Sequence, residues 1–243
     1  MSFEDQSVVI MGGSSGIGEA TARAFAAGGA NVLITGRSKE RLDAAAQRIG
    51  YPVQTRELDA TDDGDVAAFS DAIDPVHHLV LALSGGAVGI GPLASLDEQA
   101  LRDAFDGKLF AHFKILKAAL PKLRAGASVT IISAASARAA FPGTAGLAAV
   151  NGALEAMVPP LAAELAPIRV NAVSPGVIDT PWWHGMPEQQ RAAFFAGVAA
   201  SAPVGRVGKP EDVASSVLFL AGNTFVTGTV IECTGGANLA AGG

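Results

Sequence analysis

Short apolar, β-branched runs alternate along the chain with longer stretches in which apolar positions recur every three to four residues. The runs lie at 8–11, 31–35, 53–58, 79–83, 128–133, 169–174 and 229–233. The helical patterns lie between them, at 17–28, 38–49, 62–72, 97–123, 144–165 and 210–221. Period-2 or continuous apolar runs predict strands, and the 3.6-residue period predicts helices. Strict strand–helix alternation predicts a single α/β domain, a doubly wound, seven-stranded parallel sheet covered by helices on both faces. Ser95-Leu96-Asp97-Glu98 reads as a capping box. Pro210-Glu211-Asp212 places proline and two acids in a first helical turn. Pro159-Pro160 falls inside the pattern at 144–165 and predicts a kink or break there. The segment 181–201, with Trp182, Trp183, Phe194 and Phe195, departs from the alternation. It reads either as an insertion carrying a short helix over a substrate pocket or as a satellite apolar cluster under a loop.

Composition narrows the function classes. Hydrophobic residues make up 49% and charged residues 16% of the 243 residues, enough for a large core and too apolar for disorder. The net charge of −6 argues against nucleic acid as a partner. No apolar run approaches a membrane span, so no membrane partner is expected. The start, Met1-Ser2-Phe3-Glu4-Asp5-Gln6, lacks the basic and apolar regions of a signal peptide, and the expected location is cytoplasmic. One cysteine, Cys233, excludes an internal disulfide, and four scattered histidines offer no zinc set.

The most specific chemistry lies directly after the first run. Gly12-Gly13-Ser14-Ser15-Gly16-Ile17-Gly18 forms a strand–glycine turn–helix sequence, with Gly12, Gly16 and Gly18 as its fixed glycines. Such a turn lets backbone N–H groups approach a pyrophosphate at a helix N-terminus. A dinucleotide site is therefore expected. An acid about 20 residues beyond the turn would bind a ribose 2′-hydroxyl and favour NAD. Here the second strand ends in Gly36-Arg37-Ser38, with no carboxylate before Glu40. Arg37 pairs with a 2′-phosphate that a carboxylate would repel, so the expected cofactor is NADP(H).

From about residue 5 to 239 the chain resembles the short-chain dehydrogenase/reductase family. The resemblance rests on the glycine turn, with Met11 where the family usually has threonine, on Leu58-Asp59, and on Arg169-Val170-Asn171-Ala172-Val173-Ser174-Pro175-Gly176 followed by Thr180. It rests also on Gly205-Arg206-Val207-Gly208-Lys209-Pro210-Glu211-Asp212-Val213 and Phe225-Val226-Thr227-Gly228. It implies a Rossmann-type fold in which Ser14, Ser15 and Ile17 line the phosphates and Asp59 faces adenine. It implies also that the segment Pro175, Gly176, Val177, Ile178 and Thr180 serves the nicotinamide end. A homodimer or homotetramer is implied, with the helices at 97–123 and 144–165 pairing across a twofold axis. The last strand and the Gly-rich tail after it are further candidates for partner contact.

The same resemblance places all four members of the family's catalytic quartet at substituted positions. Leu147 stands at the tyrosine, Asn151 at the lysine, Ala134 at the serine and Lys108 at the asparagine. The family's Asn-Asn-Ala-Gly segment appears as Leu81-Ala82-Leu83-Ser84. Leucine cannot donate a proton to a reacting oxygen, and such help is worth about 10²–10⁴-fold. Asparagine and lysine have nevertheless exchanged places. Asn151 remains able to bond a nicotinamide ribose. Lys108 is the first candidate for catalysis, with His112 one turn beyond it as a relay and Ser133 nearby. Ser136, Thr144 and His184 are further candidate donors. The reading placed first is an NADP(H)-dependent oxidoreductase acting on a small carbonyl or alcohol as its small-molecule substrate, through an atypical site. The alternatives are a catalytically silent NADP(H)-binding protein and a non-redox enzyme on the same scaffold.

Overall fold

The computed structural model describes residues 1–239. Seven parallel strands form one sheet in the order β3-β2-β1-β4-β5-β6-β7. They are β1 (Ser7–Met11), β2 (Asn31–Gly36), β3 (Gln54–Glu57), β4 (Val76–Leu81), β5 (Leu123–Ile132), β6 (Arg169–Pro175) and β7 (Val230–Cys233). The helices are α1 (Gly16–Ala27), α2 (Lys39–Ile49), α3 (Asp63–Ala72), α4 (Glu98–Ala104), α5 (Ala111–Ala119), α6 (Ala145–Glu164), α7 (Glu188–Ser201) and α8 (Pro210–Gly222). The chain order reverses between β1 and β4, which opens a crevice at their C-terminal ends.

Strand alternation divides the core in two. Val9 and Met11 of β1, Leu79 and Leu81 of β4 and Val129 and Ile131 of β5 face α3, α5 and α6, through Phe69, Ile115, Leu154 and Val158. Val8, Ile10, Ile34 and Val80 point the other way, onto Phe25, Leu42, Val213 and Val217 of α1, α2 and α8. The in-register pairs Val9↔Leu33 and Val9↔Leu79 keep these faces continuous across the central strands.

Four local expectations are corrected. Ser95 does not cap α4: its hydroxyl turns back to the Pro92 carbonyl (3.3 Å) in a short 3₁₀ turn, and Asp97 caps instead by accepting from Gln99 N (3.1 Å). Pro159 and Pro160 do not break α6, which runs through them. Both prolines are exposed near the C-terminal end, while Leu154, Val158 and Ala162 anchor the opposite face in the core. The helix expected over 97–123 is three pieces: α4, a π-helical segment at Phe105–Phe110, and α5 with a terminal 3₁₀ turn that ends in Lys122, so β5 begins at Leu123. β4 begins three residues early, because His77 and His78 belong to it. His78 is buried and fully bonded, Nδ1 to Ser128 Oγ (2.7 Å) and Nε2 to Gln6 Oε1 (2.5 Å), so polar residues here continue a strand.

The segment at 181–201 carries α7 as expected, after a 3₁₀ turn at Pro181–Gly185. Trp183 stacks at 4.5 to 5.9 Å from Trp182, Phe194 and Phe195, and its indole N–H donates to the Ile178 carbonyl (2.9 Å). No helix among the described residues is long and apolar enough to cross a membrane. The tail beyond Leu239 lies outside the described residues.

Candidate active site

The glycine turn follows β1 directly. Gly12 has φ +81°, and a Cβ there would lie 2.6 Å from the Ala82 carbonyl oxygen, so only glycine permits the close approach of β1 and β4 at the crevice. Gly12 N and Gly13 N bond Thr35 O (3.1 and 3.0 Å), tying the turn to β2. The amides of α1's first turn remain as an N-terminal donor set. Thr180 sits beside this turn, its side chain 3.3 Å from where a Cβ of Gly16 would stand.

Arg37 projects from the end of β2, exposed. Asp59 accepts from Thr61 N (2.9 Å) and Thr61 Oγ1 (2.7 Å), and these bonds, aided by the Arg37 charge, hold its carboxyl below the ordinary range. Arg41, not singled out from the sequence, reaches Ser15 Oγ (3.4 Å) from the first turn of α2. The only sequence signal for it is its i,i+4 spacing from Arg37. The rim of the turn therefore carries Arg37 and Arg41 as cations unpaired among the described residues, while a third, Arg48, reaches the Ser14 carbonyl (3.4 Å) with its charge paired to Glu19 (2.7 Å). Past β6, Pro175 closes the strand, Gly176 packs on Thr234 and Val177 bonds Gly208. Ile178 is buried in the core, and its Cδ1 faces Gly208.

Across the crevice the structure brings Lys108, Asn151, Ser133 and Ser136 together. The π-helical segment carries Lys108 inward, where it is buried. Its Nζ donates to Asn151 Oδ1 (2.7 Å) and lies 3.4 Å from the Ser133 carbonyl oxygen. A lysine only donates, so the amide oxygen must face it. Asn151 Nδ2 then donates to Leu147 O (2.9 Å) and Ser136 Oγ (3.1 Å). Burial pushes the Lys108 pKa down to about 8, and the Glu155 carboxylate opposes that shift. Lys108 therefore stays mostly an ammonium at neutral pH.

Two sequence candidates occupy other roles. Ser133 Oγ is turned toward α6 and β6, donating to Glu155 Oε1 (2.7 Å) with Val173 O at 3.3 Å. The His112 ring meets two carbonyls, Lys108 O (2.7 Å, from Nδ1) and Leu81 O (3.1 Å, from Nε2), rather than the Lys108 ammonium. Burial, then the Lys108 charge, lowers its pKa to about 4, so the ring is neutral. A neutral ring donates only once. The shorter contact marks Nδ1 as the donor, which fastens the ring to the π-helical segment. Thr144 donates to Phe141 O (2.8 Å), and His184 lines a hollow of about 500 Å³ with Met186 and Arg191 on the aromatic insertion. Tyr51 is exposed at the end of α2.

Sequence reading missed the charges behind the site. Glu155, buried one turn beyond Asn151, also pairs with Arg138 (2.8 Å), and Arg138 joins Glu232 on β7. The i,i+4 spacing of Asn151 and Glu155 is the one linear trace of this arrangement.

A family model described as enoyl-(acyl carrier protein) reductase matches residues 12–238. The chain belongs to the short-chain dehydrogenase/reductase family. It is 33% identical over 250 residues to an L-fucose dehydrogenase of Rattus norvegicus, covering 98% of this chain and 91% of that one. Among solved structures it is similar to a small-chain dehydrogenase in complex with NADPH (31% identity, TM-score 0.84, covering 97% and 100% of the two chains). It is also similar to a short chain oxidoreductase from Pseudomonas aeruginosa described as containing an atypical catalytic center (28% identity, TM-score 0.87, covering 97% and 98%).

Proposed function

We propose that this short-chain dehydrogenase/reductase is an NADP(H)-dependent oxidoreductase acting on a small carbonyl or alcohol through an atypical centre built on Lys108 and Asn151. The observation that carries the reading is the hydrogen-bonded pair Lys108–Asn151, buried at the crevice opposite a glycine turn rimmed by Arg37 and Arg41. The residues fit the cofactor. The turn is open where a Cβ on Gly12 would collide with Ala82, α1 offers its N-terminal amides to a pyrophosphate, and two guanidiniums suit a 2′-phosphate. NADPH supplies a hydride when bound.

The chain's own residues then do the rest. Leu147 holds the position that the family resemblance gives to a tyrosine, so no phenol protonates the reacting oxygen. Lys108 contributes a fixed positive charge in a water-poor setting, where electrostatic stabilisation of a developing oxyanion is strongest. Asn151 passes that polarity outward by hydrogen bonding. Two variants test the reading. Lys108→Met should lower kcat by about 10²–10³-fold with NADPH affinity within a few-fold. Arg37→Ala should lose most of the preference for NADPH over NADH in a calorimetric titration. Undiminished turnover in Lys108→Met would remove the catalytic role. Tight NADPH binding without turnover on any carbonyl or alcohol would leave a silent cofactor-binding protein.

A further inference from the structure

The polarity of the hydrogen bonds from Lys108 outward is fixed by chemistry. The ammonium has only donors, so it donates to Asn151 Oδ1; the amide must then present its NH₂ group to Leu147 O and Ser136 Oγ. Ser136 lies in the 3₁₀ turn Ala135–Ala137, half-buried at the outer end of this chain. Its oxygen is occupied as an acceptor, and no hydrogen bond among the described residues takes its proton. Every link donates outward, and the last donor is a free hydroxyl beside Leu147.

A donor chain of this kind polarises well and conducts protons poorly. Each bond strengthens the next, but an amide does not accept a proton at Oδ1 and release another from Nδ2 at neutral pH, so the Lys108 proton does not reach Ser136. The Ser136 hydroxyl is itself too weak an acid to give its proton away. The groups behind the chain lead elsewhere. Glu155 is bonded to Ser133 and Arg138, and the one N–H of the neutral His112 ring is spent on the Lys108 carbonyl. The site stabilises an anionic oxygen without neutralising it.

We infer that Ser136 is the substrate-binding donor of an oxyanion cradle, and that the site takes conjugated diones of the quinone type, whose reduced product leaves as a stabilised anion. This rests on the oxidoreductase reading above. Reducing a simple ketone leaves an alkoxide whose conjugate acid is about as weak as water, pKa about 15.7. Reducing a quinone leaves a phenolate, whose conjugate acid has pKa about 10. The gap is between five and six orders of magnitude in acidity, so only the second product departs without an acid. In the balanced step, the hydride adds to one carbonyl oxygen of the dione and forms its O–H bond. Both carbonyl π bonds open, the ring becomes aromatic, and the displaced electron pair ends on the other oxygen, which accepts from Ser136, with NADPH oxidised to NADP⁺. The hydroquinone monoanion takes its second proton from water after release. Leu147, half-buried, offers a flat ring an apolar flank.

The test uses 4-nitrophenol as a probe, whose phenolate absorbs in the visible. With protein and NADP⁺ in excess, its pKa should fall by one unit or more, a tenfold shift in ionisation. Ser136→Ala should return it toward the buffer value at an unchanged thermal midpoint, and Ser136→Thr should retain the shift. Neutral binding of the phenol, or an equal shift in Ser136→Ala, overturns the cradle. With NADPH, naphthoquinone should turn over at least a hundredfold faster than a cyclic monoketone of similar size. Comparable turnover of the monoketone overturns the inference and leaves the oxidoreductase reading standing. Failure to bind NADPH sinks both.

Discussion

Lys108 carries the largest electrostatic burden of any side chain in the crevice, because its charge is buried against one amide and one carbonyl. Its folded pKa of about 8 lies below the ordinary 10.5. Between these values the unfolded chain binds more protons, so the Lys108 contribution to stability rises as pH increases from about 8 to 10.5 and is flat below 8. Denaturant titrations across that window should show a steeper rise in wild type than in Lys108→Met, by up to about 1.4 kcal/mol per pH unit. Equal slopes would place the lysine in contact with water. Arg37 and Arg41 sit at the opposite extreme. They are solvent-facing, so their effect belongs to ligand charge and should weaken with salt.

At the scale of elements, the π-helical segment decides the site. One widened turn between α4 and α5 aims Lys108 at α6, and the neutral His112 ring donates from Nδ1 to the Lys108 carbonyl of that segment, with the Leu81 carbonyl of β4 at 3.1 Å from Nε2. His78 plays a comparable part at the other end of β4, bridging Gln6 and Ser128. Burial lowers both histidines to about 4, from an ordinary 6.5. Their neutral forms therefore support the fold above pH 6.5, and that support is lost as pH falls through 6.5 toward 4. Each should contribute a slope of up to about 1.4 kcal/mol per pH unit in this window. Chemical denaturation from pH 7 to 4.5 measures it. A stability independent of pH between 4.5 and 6.5 would mean that the rings take up protons in the native state as they do in the unfolded chain.

For the whole molecule, the parallel sheet is closed on both faces, but Phe110 and Phe113 at the α4–α5 seam remain about half exposed. One i,i+3 pair of aromatic rings on this face suits a self-complementary contact across a twofold axis. A homodimer or homotetramer is the expected state at micromolar concentration by sedimentation. Phe110→Glu with Phe113→Glu should shift it toward monomer without changing the circular dichroism. A wild-type monomer would reject this contact.

Seven strands, their order of appearance and the glycine turn were legible in the linear pattern, because apolar periodicity and fixed glycines are local properties of the chain. Gly12 shows this well, since its need for positive φ follows from a turn that its neighbours already announce. Polar residues inside elements were less legible. His78 looked like a strand boundary because its partners, Ser128 and Gln6, are distant in sequence. Lys108 and Asn151 were readable as an exchange of residue types, but not as a bonded pair. That contact depends on the π-helical segment and on how α6 crosses it. Ser136 was readable as a candidate donor but not as the partner of Asn151, and Glu155, Arg138 and Arg41 acquired roles only when separate elements met. Periodicity records which face of an element is apolar, while hydrogen-bond direction, burial and charge pairing depend on what the other elements place against it.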